Sequence, residues 1–361
     1  MKEVELRHLL HQKPELAFHE YETQRLLVEY IHQLEYTDVR KVGTGIVVVR
    51  KFSDDPFVLL RAEMDGLPII EENECDFRSR SSFMHACGHD FHMASLCYVM
   101  RKVLENNLRK NCIFVFQPAE ESGAGAIEML KYIKQMGLKI SAAIAMHVND
   151  EYEEGTIASR AGVLFSASCE VDVVFRGMAA HAAYHEKGKD SIRAAVEFLR
   201  QVYQMDWGED LIWFGKIDGG VARNIVADRT LLQGTVRSVN LERVKQRLSD
   251  IELLAVKSNK SVGTSHELLI GSTYRQVEVD ENLLSLLKKI VAEKGMTFLE
   301  CERKLTAEDF GYFSEYCPTL MYWFGTKKER TYGLHHPRFL PADELIESAG
   351  EIMYEVLARL V

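Results

Sequence analysis

Three residues of the segment MHACGHD, residues 84–90, have side chains that bind metal ions, and they stand at alternate positions. They are His85, Cys87 and His89. If the segment is extended, residues two apart point to the same side, so a thiolate and an imidazole converge. Both are ligands that divalent transition metals favour, and Gly88 allows a tight turn there. A second interpretation stays open, in which His85 is a hydrogen-bonded core histidine and Cys87 is an inert buried thiol.

Polar side chains follow three apolar strands of the predicted first half. Asp65 follows one strand, the pair Glu120 and Glu121 follows the next, and His147 ends the third. In open α/β sheets, ligands bind just beyond the carboxyl ends of the strands, so we expect these groups to meet the loop of Cys87 and His89. Each residue alone has a simpler explanation, a solvated face or a turn. All of them together at strand ends are much less expected by chance.

The elements that must position these residues alternate between strand and helix. Strands are predicted at 46–52, 57–62, 112–116 and 142–146, and helices at 20–34, 92–106 and 124–136. This alternation indicates an α/β fold with a largely parallel sheet. After the later segment, a helix at 281–293, strands at 298–303 and 320–324 and a final helix at 343–360 resume the same pattern.

The pattern changes between residues 166 and 274. Strands are predicted at 170–176, 211–217, 230–237 and 266–274, with helices at 190–205 and 241–256, the latter beginning after Asn240 as N-cap. The order β-α-β-β-α-β is typical of a ferredoxin-like α+β domain. The sequence therefore predicts a first domain made of residues 1–165 and 275–361, with residues 166–274 inserted as a second domain.

Two later segments also have residues suited to chemistry. TAEDFG, residues 306–311, places two acids between strands, where they also suit the first turn of a helix. GLHHPRF, residues 333–339, places His335 and His336 before a proline that disfavours helix at His336. An imidazole of this loop is thus available to a site.

Composition narrows the class of protein. The chain has 361 residues, enough for two domains, with 47% hydrophobic and 27% charged residues, as in ordinary globular proteins. A net charge of −10 argues against nucleic-acid binding. No apolar run approaches the roughly 20 residues that span a bilayer, and residues 1–12 lack the apolar core of a signal peptide. The seven cysteines have no framework spacing, which favours reduced thiols and a cytoplasmic location.

Taken together, the motifs resemble a known family. MHACGHD, QPAEE, the strand end at His147, GMAAHAA at 177–183, TAEDFG and GLHHPRF occur in the order and spacing of two-domain metal-dependent amidohydrolases. That family includes aminoacylases, hippurate hydrolase and plant auxin-conjugate hydrolases. The resemblance covers essentially the whole chain. It implies a metallohydrolase domain of α/β type with an inserted lid that also forms a homodimer.

The resemblance also implies a role for each matching residue. The implied metal ligands, for two divalent ions that could be Zn, Co, Mn or Ni, are Cys87, His89, Glu121, His147 and His335. Glu120 is implied as general base, Asp65 as a catalytic acid that orients a ligand imidazole, and His181 as a lid histidine that stabilises the oxyanion. Asn224 and Arg237 match lid positions that hold a substrate carboxylate.

A few positions depart from the family pattern. Met178 and Ala179 stand where glycines are common, Glu63 where aspartate is common, and His336 where many relatives have serine. Because two histidines are adjacent, the motif alignment selects His335 as the ligand, with His336 as the alternative.

Three segments are most similar to family members that hydrolyse N-acetyl-L,L-2,6-diaminopimelate to diaminopimelate and acetate in lysine biosynthesis. They are PELAFHEYETQRLL at 14–27, RAEMDGLPI at 61–69 and GKIDGGVARNI at 215–225, and GLHHPRF at 333–339 is a fourth segment with the same likeness. The alternatives are an aminoacylase, hippurate hydrolase or dipeptidase with another small N-acyl amino acid, and, from a different class, a non-catalytic binding protein on the same scaffold.

Overall fold

A computed structural model describes residues 1–121 and 125–360. The chain forms two compact units, one of Met1–Leu164, Val277–Arg303 and Asp309–Val361, the other of Phe165–Gln276 and Lys304–Glu308. The predicted insertion, 166–274, lies within the first segment of the second unit. The short segment Lys304–Glu308 was not predicted to join it. It does so because Lys304 pairs with Phe165 in a parallel bridge and accepts a hydrogen bond of 3.0 Å from the Ser166 amide.

The described residues contain the following strands, in chain order: β1 (Val39–Val42), β2 (Gly45–Arg50), β3 (Phe57–Glu63), β4 (Cys112–Gln117), β5 (Ile140–Glu153), β6 (Ile157–Ser159), β7 (Gly162–Phe165), β8 (Ala167–Arg176), β9 (Leu211–Gly219), β10 (Arg229–Ser238), β11 (Ser265–Tyr274), β12 (Val277–Val279), β13 (Phe298–Glu300) and β14 (Thr319–Lys327).

The same residues contain these α-helices: α1 (Glu3–His11), α2 (Tyr21–Gln33), α3 (His89–Glu105), α4 (Gly125–Gln135), α5 (Ser191–Gln204), α6 (Leu241–Val262), α7 (Glu281–Glu293) and α8 (Leu345–Arg359). Two 3₁₀ segments lie at Ala182–Lys187 and Asp309–Glu315. Ala124, the predicted first residue of the fourth helix, lies outside the described residues. No helix of the described part is both long enough and apolar enough to cross a membrane.

The first unit is built on an eight-stranded sheet with the order β1-β2-β4-β3-β5-β14-β6-β13. Its centre is parallel, since β3 pairs in parallel with β4 and β5, and β5 pairs in parallel with β14. The strands β3 and β4 are buried along their whole length, as expected for parallel strands covered on both faces. The predicted α/β class with a largely parallel sheet is confirmed.

The end of β5 differs from the prediction. The strand was expected to stop at His147, but it runs on to Glu153 because β14 keeps pairing with it through Asn149 and Glu153. His147 therefore lies inside a strand, opposite Trp323, and not at a strand end. The other two expectations hold, since Asp65 follows the end of β3 and Glu120 follows the end of β4.

The second unit has the element order β8-α5-β9-β10-α6-β11 and an antiparallel sheet ordered β11-β8-β10-β9. This is the predicted ferredoxin-like arrangement. Alternate residues of β8 face one side and pack on α5 and α6, for example Val171, Val173 and Phe175 against Phe198 and Ile251. Burying an aliphatic or aromatic side chain of this kind contributes roughly 1.5–3 kcal/mol, so the unit has a core of its own.

Candidate functional site

The segment that carries Cys87 and His89 forms a turn followed by a helix. Gly88 has φ +85° and precedes His89, the first residue of α3. A Cβ atom at residue 88 would lie 2.5 Å from Val148 Cγ2, so glycine is required by both backbone conformation and space. The segment is therefore not extended, which was the condition of the convergence argument. The ligand atoms of Cys87 and His89 still lie within 4.8 Å of each other and of one on His147.

His89 has one ring nitrogen engaged and one available. Its Nδ1 donates to the backbone carbonyl of Asp65 at 2.8 Å, which fixes the tautomer. Its Nε2 is buried, has no hydrogen-bond partner among residues 1–121 and 125–360, and lies 4.0 Å from Glu120 Oε2. Burial opposes a charge on this ring, yet the contact with Asp65 and the charges of Glu63, Asp65 and Glu121 raise its pKa to about 10.

His147 is held in the same way. Its Nδ1 donates to the carbonyl of Val148 at 2.8 Å, and its Nε2 lies 3.4 Å from Cys87 Sγ. Burial lowers the pKa of His147 to about 3, so the ring is neutral at pH 7. A neutral imidazole with a committed Nδ1 proton offers the Nε2 lone pair to a metal ion.

Glu120 and Glu121 follow β4 on a turn that is fixed by Asp65. The Asp65 carboxylate accepts the Glu120 amide at 3.1 Å through Oδ1 and the Glu121 amide at 3.0 Å through Oδ2. Asp65 was expected to orient a ligand imidazole with its carboxylate. In the structure its backbone carbonyl does most of this, with Oδ1 3.4 Å from His89 Nδ1, while the carboxylate orients the glutamate pair.

The loop after β14 contributes His335. This residue has φ +65°, and its amide donates to the carbonyl of Ala86 at 2.9 Å. Its Nε2 lies 3.1 Å from Glu121 Oε1. The Nδ1 of His336 instead accepts the amide of Arg338 at 3.1 Å. Of the two adjacent histidines, His335 is thus the one whose ring reaches the glutamate pair.

Six side chains of the first unit form what we call the donor cluster: Cys87, His89, Glu120, Glu121, His147 and His335. Three overlapping sets have ligand atoms within 4.8 Å of one another, namely Cys87 with His89 and His147, Cys87 with Glu121 and His335, and His89 with Glu120 and Glu121.

The chemistry of the donor cluster fits a cation. Burial and the nearby carboxylates of Glu121 and Glu120 hold the pKa of the Cys87 thiol well above its usual range. A bound divalent ion reverses that effect, because it stabilises the thiolate. The mixture of sulfur, imidazole nitrogen and carboxylate oxygen suits transition-metal ions. A bound ion would likewise displace the proton from Nε2 of His89, and this orphaned nitrogen is then a ligand atom, which explains its burial.

Sequence reasoning missed a buried network beside the donor cluster. Arg61 contacts Glu63 and donates to Asp309 Oδ1 at 2.7 Å, and Gln117 Nε2 donates to both Asp309 oxygens at 2.8 Å. His92 Nδ1 lies 2.7 Å from Glu63 Oε2. Two signals were present: an arginine and a glutamate two apart on β3, which places both on one face, and the acid pair of TAEDFG, which includes Asp309.

His92 lies close enough to His89 and Glu63 to count as a possible ligand. However, its Nε2 accepts the Val148 amide at 3.0 Å while its Nδ1 donates to Glu63. Both ring nitrogens are therefore engaged by the protein. His92 therefore holds β5 at Val148, next to His147, and neither of its ring nitrogens is available to bind a metal ion.

Three predicted residues lie in the second unit. His181 is exposed, and its Nδ1 accepts the Ala183 amide at 3.1 Å. Asn224 lies beside it, since its carbonyl accepts the Ala182 amide at 2.9 Å. The Arg237 Nη1 donates to the carbonyl of Leu305 at 2.8 Å, and burial lowers the pKa of this arginine. The structure thus brings His181 and Asn224 together on adjacent segments of one unit.

Comparisons with known proteins identify the family to which this chain belongs. A model of peptidase family M20/M25/M40 matches residues 59–359. N-acetyldiaminopimelate deacetylase of Bacillus cytotoxicus is 33% identical over 363 residues, covering 98% of this chain and 96% of the relative.

Solved structures are similar over nearly the whole chain. The Bacillus subtilis YXEP protein, a dinuclear metal binding peptidase from the M20 family, superposes with a TM-score of 0.86 at 27% identity, covering 99% of this chain and 96% of that one. The aminopeptidase PepT of Bacillus cereus has a TM-score of 0.78 at 17% identity, with 99% and 97% covered, and shows the shared fold.

Proposed function

This chain belongs to peptidase family M20/M25/M40 and is a hydrolase, and we propose that it is a metal-dependent N-acetyldiaminopimelate deacetylase. The reaction proposed is hydrolysis of N-acetyl-L,L-2,6-diaminopimelate to L,L-2,6-diaminopimelate and acetate, in the diaminopimelate route to lysine. The relative with that name, 33% identical over nearly the whole chain, supports the substrate. Family membership as a hydrolase sets aside the alternative of a non-catalytic binding protein.

One observation carries the proposal. The carboxylate of Glu120 lies 4.0 Å from the orphaned His89 Nε2, inside a cluster of donors that fit a cation. An amide is hydrolysed when a group that accepts a proton stands beside a group that polarises the carbonyl. The glutamate supplies the first, and the donor cluster is suited to hold the second.

We assign Cys87, His89, Glu121, His147 and His335 as the ligands. Cys87 belongs to the set with His89 and His147 and to the set with Glu121 and His335, and these two sets would hold two divalent ions. Such ions, when bound, supply positive charge at the scissile carbonyl and lower the pKa of water from 15.7 to about 7. The donor set suits Zn, Co, Mn or Ni.

The side chains of this chain perform the proton transfers. Glu120 accepts a proton from the attacking water and delivers it to the leaving amine. Asp65 holds the amides of Glu120 and Glu121 at 3.1 Å and 3.0 Å, so the base and its neighbouring ligand keep a fixed relation. The Nδ1 contacts of His89 and His147 keep the tautomers that expose Nε2.

Residues of the second unit are assigned to substrate recognition. We propose that His181 donates to the developing oxyanion and that Asn224 and Arg237 hold a substrate carboxylate. Arginine has five N–H donors, and the contact with Leu305 uses Nη1. The guanidinium can therefore be positioned by one carbonyl and still present a planar pair of donors to a carboxylate.

Release of the free amine tests the function, because it reports hydrolysis whichever acyl group leaves. The enzyme, supplied with cobalt or manganese, is compared on N-acetyl-L,L-2,6-diaminopimelate and on a panel of N-acetyl, N-benzoyl and dipeptide substrates. We expect kcat/KM to be highest for the first. A higher value for a simple N-acetyl amino acid, for hippurate or for a dipeptide would instead make the enzyme an aminoacylase, hippurate hydrolase or dipeptidase, and would overturn the substrate assignment.

We further propose a homodimer formed through the second unit. One face of α5 and the edge strand β9 expose large apolar side chains, namely Ile192, Val196, Tyr203, Trp213 and Ile217. An exposed apolar patch of this kind is typical of an interaction surface, and an edge strand offers unpaired backbone groups to a second copy. Val196→Glu should convert a dimer to a monomer in light scattering, whereas Ile270→Glu, on the opposite edge strand β11, should not.

The ligand role of Cys87 also bears on location. It requires a reduced thiolate, and a reducing compartment preserves one. We therefore propose that the enzyme acts in the cytoplasm.

A further inference from the structure

The residue before the proposed base has an unusual backbone conformation. Ala119 has φ +53°, in the left-handed region that residues with a Cβ rarely adopt. The conformation is unfavourable for such a residue, so the surroundings must hold it. Because Ala119 directly precedes Glu120, its conformation sets the direction in which the glutamate leaves β4.

Three consecutive amides of this turn are held by two carboxylates. The Ala119 amide donates to Glu20 Oε1 at 2.9 Å, across 99 positions of sequence. The next two amides, of Glu120 and Glu121, donate to Asp65. Asp65 therefore fixes the glutamate pair from one side, and Glu20 fixes the strained residue that precedes it.

Glu20 makes this contact in preference to a local one. It occupies the N-cap position of α2, where short polar side chains normally accept amides of the helix, but its own side chain makes no such contact. Its side chain is fully buried, and its second oxygen accepts the hydroxyl of Thr44. Burial raises the pKa of this carboxyl. Burying a carboxyl group is energetically unfavourable, so the position of the Glu20 carboxyl beside the Ala119 amide requires an explanation.

We propose that Glu20 is a positioning residue for hydrolysis, holding Ala119 in the left-handed conformation and thereby fixing the direction of Glu120. Glu20 touches neither the donor cluster nor the substrate in this scheme, and acts through one backbone amide. The inference rests on the proposed function, because it concerns the base of that reaction.

The loop that precedes α2, and that ends at Glu20, supplies a matched control. Glu15 lies on the same loop, and its carboxylate accepts the amides of Glu22 and Thr23 at 3.2 Å and 2.9 Å. Glu15→Ala therefore removes a carboxylate from the same segment and weakens the start of the same helix. It leaves the contact between Glu20 and Ala119 in place.

Four variants test the proposal: Glu20→Ala, Glu20→Gln, Glu15→Ala, and Glu20→Ala combined with Ala119→Gly. Each is measured for kcat and KM on the best N-acyl substrate of the wild-type enzyme, for bound metal, and for folded fraction by circular dichroism. Glu20→Ala should lower kcat by roughly 100-fold with KM and metal content near wild type. Glu20→Gln should keep most of kcat, because its carbonyl oxygen offers the same acceptor.

The double variant, Glu20→Ala with Ala119→Gly, is the most informative of the four. Glycine adopts positive φ without strain, so Ala119→Gly should restore part of the kcat lost in Glu20→Ala. Because a glycine at positive φ can also stabilise the fold, the rescue supports the proposal only if the folded fraction and metal content of Glu20→Ala already match those of the wild-type enzyme. Equal losses of kcat in Glu20→Ala and Glu15→Ala, unchanged kcat in Glu20→Ala, or no rescue by Gln or by Gly would each overturn the proposal.

Hydrogen exchange separates this inference from the function itself. The amides of residues 119–121 should exchange faster in Glu20→Ala than in the wild-type protein and in Glu15→Ala. If the wild-type enzyme hydrolyses no N-acyl amino acid, the proposed function fails while faster exchange still supports the anchoring role. Unchanged exchange in Glu20→Ala would overturn that role whatever the activity.

Discussion

The first turn of α3 separates two clusters of buried ionisable side chains. His89 faces the donor cluster, whereas its neighbour Asp90 faces what we call the α1 network, made of Arg7, His11, Glu71 and Asp90. Arg7 Nε lies 2.8 Å from Asp90 Oδ2, and His11 Nδ1 lies 3.0 Å from the same oxygen. Two adjacent residues of one helix thus belong to two separate clusters of ionisable side chains.

The difference lies in where the positive charge comes from. In the α1 network the chain supplies it, since Arg7 is cationic and the carboxylates of Asp90 and Glu71 outweigh burial and raise the pKa of His11 to about 9. In the donor cluster the raised pKa of His89 supplies one positive charge, but two carboxylates and a thiol surround it, and burial together with Glu121 and Glu120 raises the pKa of Cys87. Removing one partner of a buried ion pair is strongly destabilising, whereas converging acids and donors with too few cations of their own indicate a ligand site.

The largest expected effect is the loss of kcat when the proposed base of the donor cluster, Glu120, is replaced. Glu120→Gln removes the proton acceptor but keeps the shape of the side chain, so kcat should fall on the order of 10³-fold while bound metal stays near normal. Glu128→Gln, an exposed position on the first turn of α4, is the control and should behave as wild type. Acetate release and metal analysis decide the matter, and normal turnover in Glu120→Gln would remove this residue from the mechanism.

The next effect concerns metal occupancy. Cys87 belongs to two donor sets and His147 to one, so Cys87→Ala should lose both ions and His147→Ala only one. We expect each affected affinity to fall by at least about 100-fold. Equilibrium dialysis followed by elemental analysis gives the count. A chelator should abolish activity and added divalent ion restore it, and full activity in a metal-free sample would refute the assignment.

In the α1 network we expect the opposite outcome: substitution should lower the free energy of unfolding and leave bound metal unchanged. Asp90→Asn leaves the buried Arg7 and His11 charges without their shared acid, which should cost roughly 3–5 kcal/mol of the free energy of unfolding. Asp343→Asn removes a more exposed partner of Arg7 and should cost less. Urea denaturation measures both. If Asp90→Asn removed metal as efficiently as Cys87→Ala, the distinction between the two clusters would fail.

The smallest effect is a pH dependence. The pKa of His11 is raised from about 6.5 to about 9 in the folded protein. A raised pKa means that this group stabilises the fold fully below pH 6.5, and that its contribution is lost as pH rises through 9. The contribution is about 3 kcal/mol. The difference in unfolding free energy between wild type and His11→Gln should therefore shrink between pH 6 and pH 10, and a constant difference would contradict it.

Local signals allowed much of the fold to be predicted. The helix α7 has the bounds predicted for it, and the buried strands β3 and β4 appear within one residue of theirs. The carboxyl-end rule located Asp65 and Glu120 correctly, because parallel strands end at one edge of a sheet. These successes depend on hydrophobic periodicity and on strand order, which the sequence encodes over short windows.

The failures share a physical cause, since each depends on contacts made far along the chain. The spacing of Cys87 and His89 suits a strand, but the left-handed Gly88 packed against Val148 starts a helix there. Pairing with β14 extends β5 past His147. Glu20 escaped notice because its partner amide lies 99 positions away. No window of local sequence contains such information.

The pairing of β5 with β14 also determines when the proposed site can form during translation. His147 lies on β5, but β14 leaves the ribosome only after all of Phe165–Gln276 has been synthesised. His335 follows β14 on the next loop. A growing chain therefore carries Cys87, His89, Glu120 and Glu121 throughout the synthesis of the second unit without the last proposed ligand. The proposed centre can form only after β14 and the loop that follows it have been made, and a nascent chain that stops before His335 lacks one of the proposed ligands.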